Sequence, residues 1–264
     1  MIPRTFLPQE LIDKFIDDLW FEGDTDTVKT LSQTSRLFLH RCRRHLFSYI
    51  RLSSESFTRQ SQRVARTAKN LEDVLVRIPE IANYVQRLFL EIPRYNVARA
   101  HIISRLLLRL SMINEFHVDG TPTFSDWTLF PPELESVISH LAYSPRMKIF
   151  NLHGIYNFPI SFFTSCTNII DLSIRRCGLE DHASLGNPET RSIARLHTLD
   201  LCGTSVGVEK LICGGSQDGF PILDVSHLQE LRISIPEALP ALQEIFKRAR
   251  RLTSLCLKGT KQRV

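Results

Sequence analysis

The feature that most constrains this chain is a recurring six-residue pattern, apolar-x-x-apolar-x-apolar. It occurs at Val85/Leu88/Leu90, Ile113/Phe116/Val118, Met147/Phe150/Leu152 and Ile169/Leu172/Ile174. Three further copies are Leu196/Leu199/Leu201, Leu228/Leu231/Ile233 and Leu252/Leu255/Leu257. Their central anchors are 28, 34, 22, 27, 32 and 24 residues apart. Each copy is a short alternating segment, as a strand with one buried face should be. One match is common by chance in an apolar sequence; seven in order are not.

Segments with helical spacing lie between the strands. Val97 to Leu110 has apolar residues at 102, 103, 106, 107 and 110, on one helical face. Glu133 to Tyr143 follows Pro131 and Pro132, and proline favours a helix start. Glu237 to Arg250 carries Leu239, Leu242, Ile245 and Phe246 on one side. Strand, turn, helix and strand again at this period is the leucine-rich-repeat arrangement, with parallel strands in an irregular solenoid. The other arrangement compatible with the pattern is an ordinary α/β domain with seven strands. The spacing is too uneven for constant curvature. The chain is also expected to lack a polar capping repeat after its last strand.

Side chains between the buried anchors point to the opposite face. On the concave face this predicts a column of Phe89, His117, Asn151, Ser173, Asp200, Arg232 and Cys256. Arg87, Glu115, Asp171, Arg175, Glu230 and Lys258 flank it. Mixed charge and aromatic character suits a protein or peptide, not a uniform polyanion, so Phe89, His117, Asn151, Ser173, Asp200 and Arg232 are the predicted substrate contacts.

Residues 7 to 52 read differently. Leu7, Leu11, Phe15, Ile16 and Leu19 have helical spacing, with Pro8 at the start of the run. A second helical stretch follows, which Asp24 or Thr27 can cap, with Val28, Leu31, Leu37, Phe38, Leu46 and Phe47 as its apolar positions. Short amphipathic helices in so few residues have little core of their own, so a partner or the neighbouring segment completes them.

Three stretches carry a resemblance: Leu7-Pro8-x-Glu10-Leu11-Ile12; Leu31-x-x-Thr34-Ser35-Arg36-x-Phe38; and Arg41-x-Arg43-Arg44-x-Leu46-Phe47-x-x-Ile50-x-Leu52. Together they resemble the F-box. The segment NLEDVLVRIPEIANYVQRLFLEI, Asn70 to Ile92, looks like the one that follows the box in F-box-like proteins of mushroom-forming fungi. Phe38 stands where that family often has tryptophan. The resemblance implies an F-box-like helical module over 5–52, a helical linker over 53–84 and leucine-rich-type repeats over 85–264. It further implies a substrate-recognition adaptor of an SCF-type ubiquitin ligase. The box would dock onto the Skp adaptor through Leu7, Pro8, Leu11, Ile12, Leu31 and Phe38, with cullin-RING subunits beyond it. The repeats would hold an unknown protein substrate.

Catalytic chemistry is not expected. The chain has no G-x-x-x-x-G-K-[ST], G-x-G-x-x-G, G-x-S-x-G or H-E-x-x-H motif. Gly214-Gly215 reads as a loop, and Cys177 with His182 supplies only two potential ligands. None of the six cysteines forms a C-x-x-C pair, so they are expected as free, packed thiols, with no metal and no cofactor. MIPRTFLPQELIDKF has no continuous apolar stretch for a secretory signal, and Arg105 and Arg109 break the most apolar run. An intracellular protein, cytoplasmic or nuclear and away from membranes, is expected. The formal charge of +5 is uneven. Eight arginines and one acid lie between Arg36 and Arg66, and Lys247, Arg248, Arg250, Arg251, Lys258, Lys261 and Arg263 cluster near the end. The alternative reading is therefore a scaffold that binds nucleic acid or another acidic partner through these patches.

Overall fold

The computed structural model describes residues 7–52, 60–92, 100–120, 125–180, 194–204, 207–214, 221–235 and 239–259. Of the residues singled out above, His182, Gly215, Lys261 and Arg263 lie outside these, as do part of the arginine-rich stretch (53–59) and the expected helix starts at Val97 and Glu237.

The chain opens with three helices, α1 (Gln9–Phe21), α2 (Thr25–Thr34) and α3 (Arg36–Leu46). The Asp24 carboxylate caps α2, accepting from the Thr27 amide at 3.1 Å. Ser35 is extended (φ −150°, ψ 143°), and its hydroxyl accepts from the Leu37 amide, which separates α2 from α3. Arg43, Arg44 and His45 in the last turn of α3 suit the negative end of its dipole.

Among the described residues, eight strands make the main sheet: β1 (Tyr49–Leu52), β2 (Arg87–Glu91), β3 (Glu115–Asp119), β4 (Ile149–His153), β5 (Asp171–Arg175), β6 (Thr198–Leu201), β7 (Glu230–Ile235) and β8 (Ser254–Gly259). They form one parallel sheet in sequence order. Each of the seven segments with the apolar spacing contributes one strand. Among the described residues, five more α-helices lie in the connections: α4 (Gln60–Arg77), α5 (Ala100–Leu108), α6 (Pro132–Ala142), α7 (Val208–Cys213) and α8 (Leu239–Arg248).

The register aligns the apolar anchors. Ile50, Leu88, Phe116, Phe150, Leu172, Leu199, Leu231 and Leu255 lie side by side across the sheet. From β2 to β7 they are at most 2% exposed and share one core with Leu106 and Leu107 of α5, Ile138 of α6, Leu211 of α7 and Ile245 of α8. Trp127, Phe158, Phe162 and Phe163 fill the space below β4, with ring centroids 4.6 to 6.1 Å apart in the contacting pairs. Such ring pairs add stabilisation beyond their buried area. Where the chain leaves β3, Gly120 passes so close to Gly154 that a Cβ would lie 2.4 Å from its carbonyl oxygen. A side chain at this position is therefore excluded.

This architecture corrects the expected fold class, an all-helical F-box module followed by an irregular leucine-rich-repeat solenoid. The helices are spread along the chain rather than gathered at its start, and eight of the strands form one parallel sheet, with three two-stranded ladders beside it among the described residues. The physical reason lies at residues 49–92. Tyr49–Leu52, assigned to the helical module, is the first strand, and Leu52 is fully buried in the sheet's core. The expected linker is no spacer: Ala68 and Leu75 of α4 and Ile81 are buried in that same core. Helices α1–α3 do keep a small separate cluster of Ile16, Val28 and Cys42.

Candidate binding surfaces

Because β-strand side chains alternate, the face of the sheet away from the helices presents two complete rows. One row runs Tyr49, Arg87, Glu115, Ile149, Asp171, Thr198, Glu230, Ser254. The next runs Arg51, Phe89, His117, Asn151, Ser173, Asp200, Arg232, Cys256. The predicted column is therefore one continuous row.

Its members do different things. The Arg51 guanidinium sits 4.5 Å from the centroid of the Phe89 ring, and Phe89 stacks on His117 at 6.0 Å. His117 Nε2 lies 2.6 Å from Glu115 Oε1, and Asn151 Nδ2 lies 3.1 Å from His117 Nδ1. A depression of about 280 Å³ opens here, and four of the predicted contacts, Phe89, His117, Asn151 and Ser173, line it together with Asp119, His153 and Arg175. Its walls are largely polar, with the half-buried rings of Phe89 and His117 on one side.

Asp200 departs from the expectation. It is 3% exposed and holds Arg175, whose Nε and Nη2 donate to Asp200 Oδ2 at 2.9 and 2.5 Å. The Cys202 amide donates to Asp200 Oδ1 at 3.1 Å. Burial alone would push this carboxyl up; the bonds from Arg175 and Cys202 outweigh it and hold the carboxyl below its ordinary value. Asp200 thus orients Arg175 rather than meeting a partner. Arg232 is exposed beside Glu230, at 3.9 Å.

The second surface is the helical end. Leu7, Pro8 and Leu11 are exposed, whereas Ile12, Leu31 and Phe38 are half-buried against Ile16, Val28 and Cys42. Two apolar side chains outside the predicted docking contacts join the exposed set. Phe15, one turn beyond Leu11, is 53% exposed, as is Leu37 at the start of α3. The Gln9 side chain donates to the Leu37 carbonyl at 3.4 Å, which brings the start of α3 to the start of α1. Behind this surface, Asp17 accepts from both Arg41 and His45, and His45 stacks on Trp20 at 5.3 Å. The Arg41 guanidinium outweighs burial and holds the Asp17 carboxyl below its usual range, with His45 adding to the effect.

The basic stretches are partly neutralised. Arg41 pairs with Asp17, Arg43 lies 3.7 Å from Glu80, and Lys247 and Arg248 both face Glu244. Among the described residues, no group of three or more metal-ligating side chains converges, and no helix is long and apolar enough to cross a membrane. No protein-family model and no curated protein matches the chain.

Proposed function

We propose that the chain is a non-catalytic recognition adaptor of an SCF-type ubiquitin ligase, acting inside the cell in the cytoplasm or nucleus. The helical end docks onto the Skp adaptor, which links it to the cullin-RING subunits. The sheet face away from the helices holds the protein to be modified. The observation that carries this reading is the apolar surface of Leu7, Leu11, Phe15 and Leu37 at one end of the molecule. Contiguous exposed apolar side chains mark a partner site, and fully covering each of them is worth about 1.5–3 kcal/mol. The resemblance of residues 7–52 to the F-box supplies the partner's identity. The polar sheet face supports the second half, because four predicted contacts meet at one depression.

The test is capture of purified Skp adaptor by the full chain. Wild type is expected to retain it, and Leu11→Asp to lose it with an unchanged melting temperature, since Leu11 is 54% exposed. Failure of the wild-type chain to retain the adaptor refutes the docking.

A further inference from the structure

The helix-free face differs in charge from the rest of the molecule. On the four central strands it carries Glu115, Asp119, Asp171 and Asp200 against Arg175 alone. Four carboxylates against one guanidinium leave three net negative charges, with histidine neutral, on a chain whose formal charge is +5. Arg51, Arg87 and Arg232 lie on the outer strands of the same face, so the negative charge is confined to its centre. An anionic centre on a cationic chain selects a cationic segment and repels an acidic one.

The spacing is more specific. Glu115, Asp171 and Glu230 share one register on alternate strands, β3, β5 and β7. Neighbouring strands are about 4.8 Å apart, so these carboxylates recur at about 10 Å. A polyproline-type segment turns once every three residues and rises about 3.1 Å per residue, so its every third side chain recurs at about 9 Å on one side. The Asp171 side chain makes no hydrogen bond or ion pair among the described residues, and Glu230, 3.9 Å from Arg232, has a side chain 49% exposed. The depression beside His117, Asn151 and Ser173, in the next row of the same face, gives an intervening side chain of such a segment somewhere to go.

We propose that the sheet face binds an extended, basic segment of its protein partner, with a lysine or arginine at every third residue set against Glu115, Asp171 and Glu230. This rests on the reading that the sheet face is the surface that takes the recognised protein. The segment crosses the strands rather than adding to the sheet's edge.

The test uses the full chain and three labelled synthetic peptides of about ten residues, read by fluorescence anisotropy. One has lysine at every third position, one has the same lysines in a single run, and one has glutamate at every third position. The spaced basic peptide is expected to bind at least about tenfold more tightly than the acidic one and several-fold more tightly than the clustered one, with affinity falling as salt rises. Asp171→Asn should weaken it about threefold, Asp171→Arg further, and Arg232→Gln should not weaken it. Equal binding of the basic and acidic peptides, equal binding of the spaced and clustered peptides, or indifference to Asp171→Arg would overturn the proposal. The same samples are tested for Skp-adaptor capture. Loss of capture with peptide selectivity intact removes only the ligase reading; the converse removes only this one.

Discussion

Asp200→Asn is a sharp probe of the sheet face, because the substitution preserves shape and removes charge. Asp200 Oδ2 takes two guanidinium donors from Arg175, and Oδ1 takes the Cys202 amide. Asparagine can keep the Cys202 bond through its carbonyl oxygen, but its amide then turns donors toward the donors of Arg175. A hydrogen bond to a charged group is worth about 1.5–3 kcal/mol. The Arg175 side chain is 47% exposed, so water takes over part of the role and the lower end applies. The expected loss at neutral pH is about 1.5 kcal/mol by urea unfolding, or about 4 °C in melting temperature for a chain of this size.

The pH dependence adds a second readout. The folded carboxyl titrates below its ordinary value of 3.8, so its contribution is fully present above that value and is lost as pH falls through the folded one. The gap between wild type and Asp200→Asn should therefore close below about pH 4. A loss under about 0.5 kcal/mol at neutral pH, or a gap that persists unchanged in acid, would refute the assignment of Asp200 as the residue that holds Arg175.

Three other outcomes follow from the same geometry. Phe162→Ala should cost about 3–5 kcal/mol in chemical unfolding, because Phe162 is 4% exposed and touches Trp127, Phe150, Phe158 and Phe163. Gly120→Ala should lower the melting temperature, since a Cβ at 120 meets the Gly154 carbonyl at 2.4 Å; a melting temperature equal to wild type would rule out the close approach. Alkylation at about pH 8, mapped by mass spectrometry, should label Cys256 first. Cys256 is exposed, whereas burial pushes the Cys177 thiol up to about 12 and raises Cys166 strongly.

Much of the sheet was legible in the sequence for a physical reason. A strand covered on one face needs an apolar residue at every second position, and seven segments show that alternation plainly. The first strand was hidden by its neighbours: Tyr49–Leu52 alternates too, but it follows directly on helical spacing and reads as the tail of a helical module. The division into module and repeats failed at that point. The break at Ser35 was hidden as well, because apolar spacing continues through it while its extended backbone and the hydroxyl that accepts from the Leu37 amide show only in the structure.

At the binding surfaces, alternation placed Phe89, His117, Asn151 and Ser173 on the open face but could not reveal that Asp200 is buried. That burial comes with Arg175, 25 residues away in the chain and one strand away in the sheet, and with the local turn at Cys202, and alternation reports neither. At the helical end, spacing identified Phe15 and Leu37 as apolar without showing which apolar side chains are covered. Which side of a helix is covered depends on its neighbours, and here α3 covers Ile16 while leaving Leu11 and Phe15 outside.

The first strand also has a mechanical consequence. Strand β1 begins three residues after α3 ends, and the Ser48 carbonyl between them accepts from both the Gln86 and Arg87 amides at 3.0 and 2.9 Å. The Arg43–Glu80 pair and the His40–Tyr84 edge contact brace the same joint. A tether of free residues would let the two ends of the molecule swing; this joint works as a bracket. Whatever is held at Leu11 and whatever is held at Asp171 then keep a set bearing to one another, and reach is adjusted by the bound partner's own length rather than by rotation within this chain.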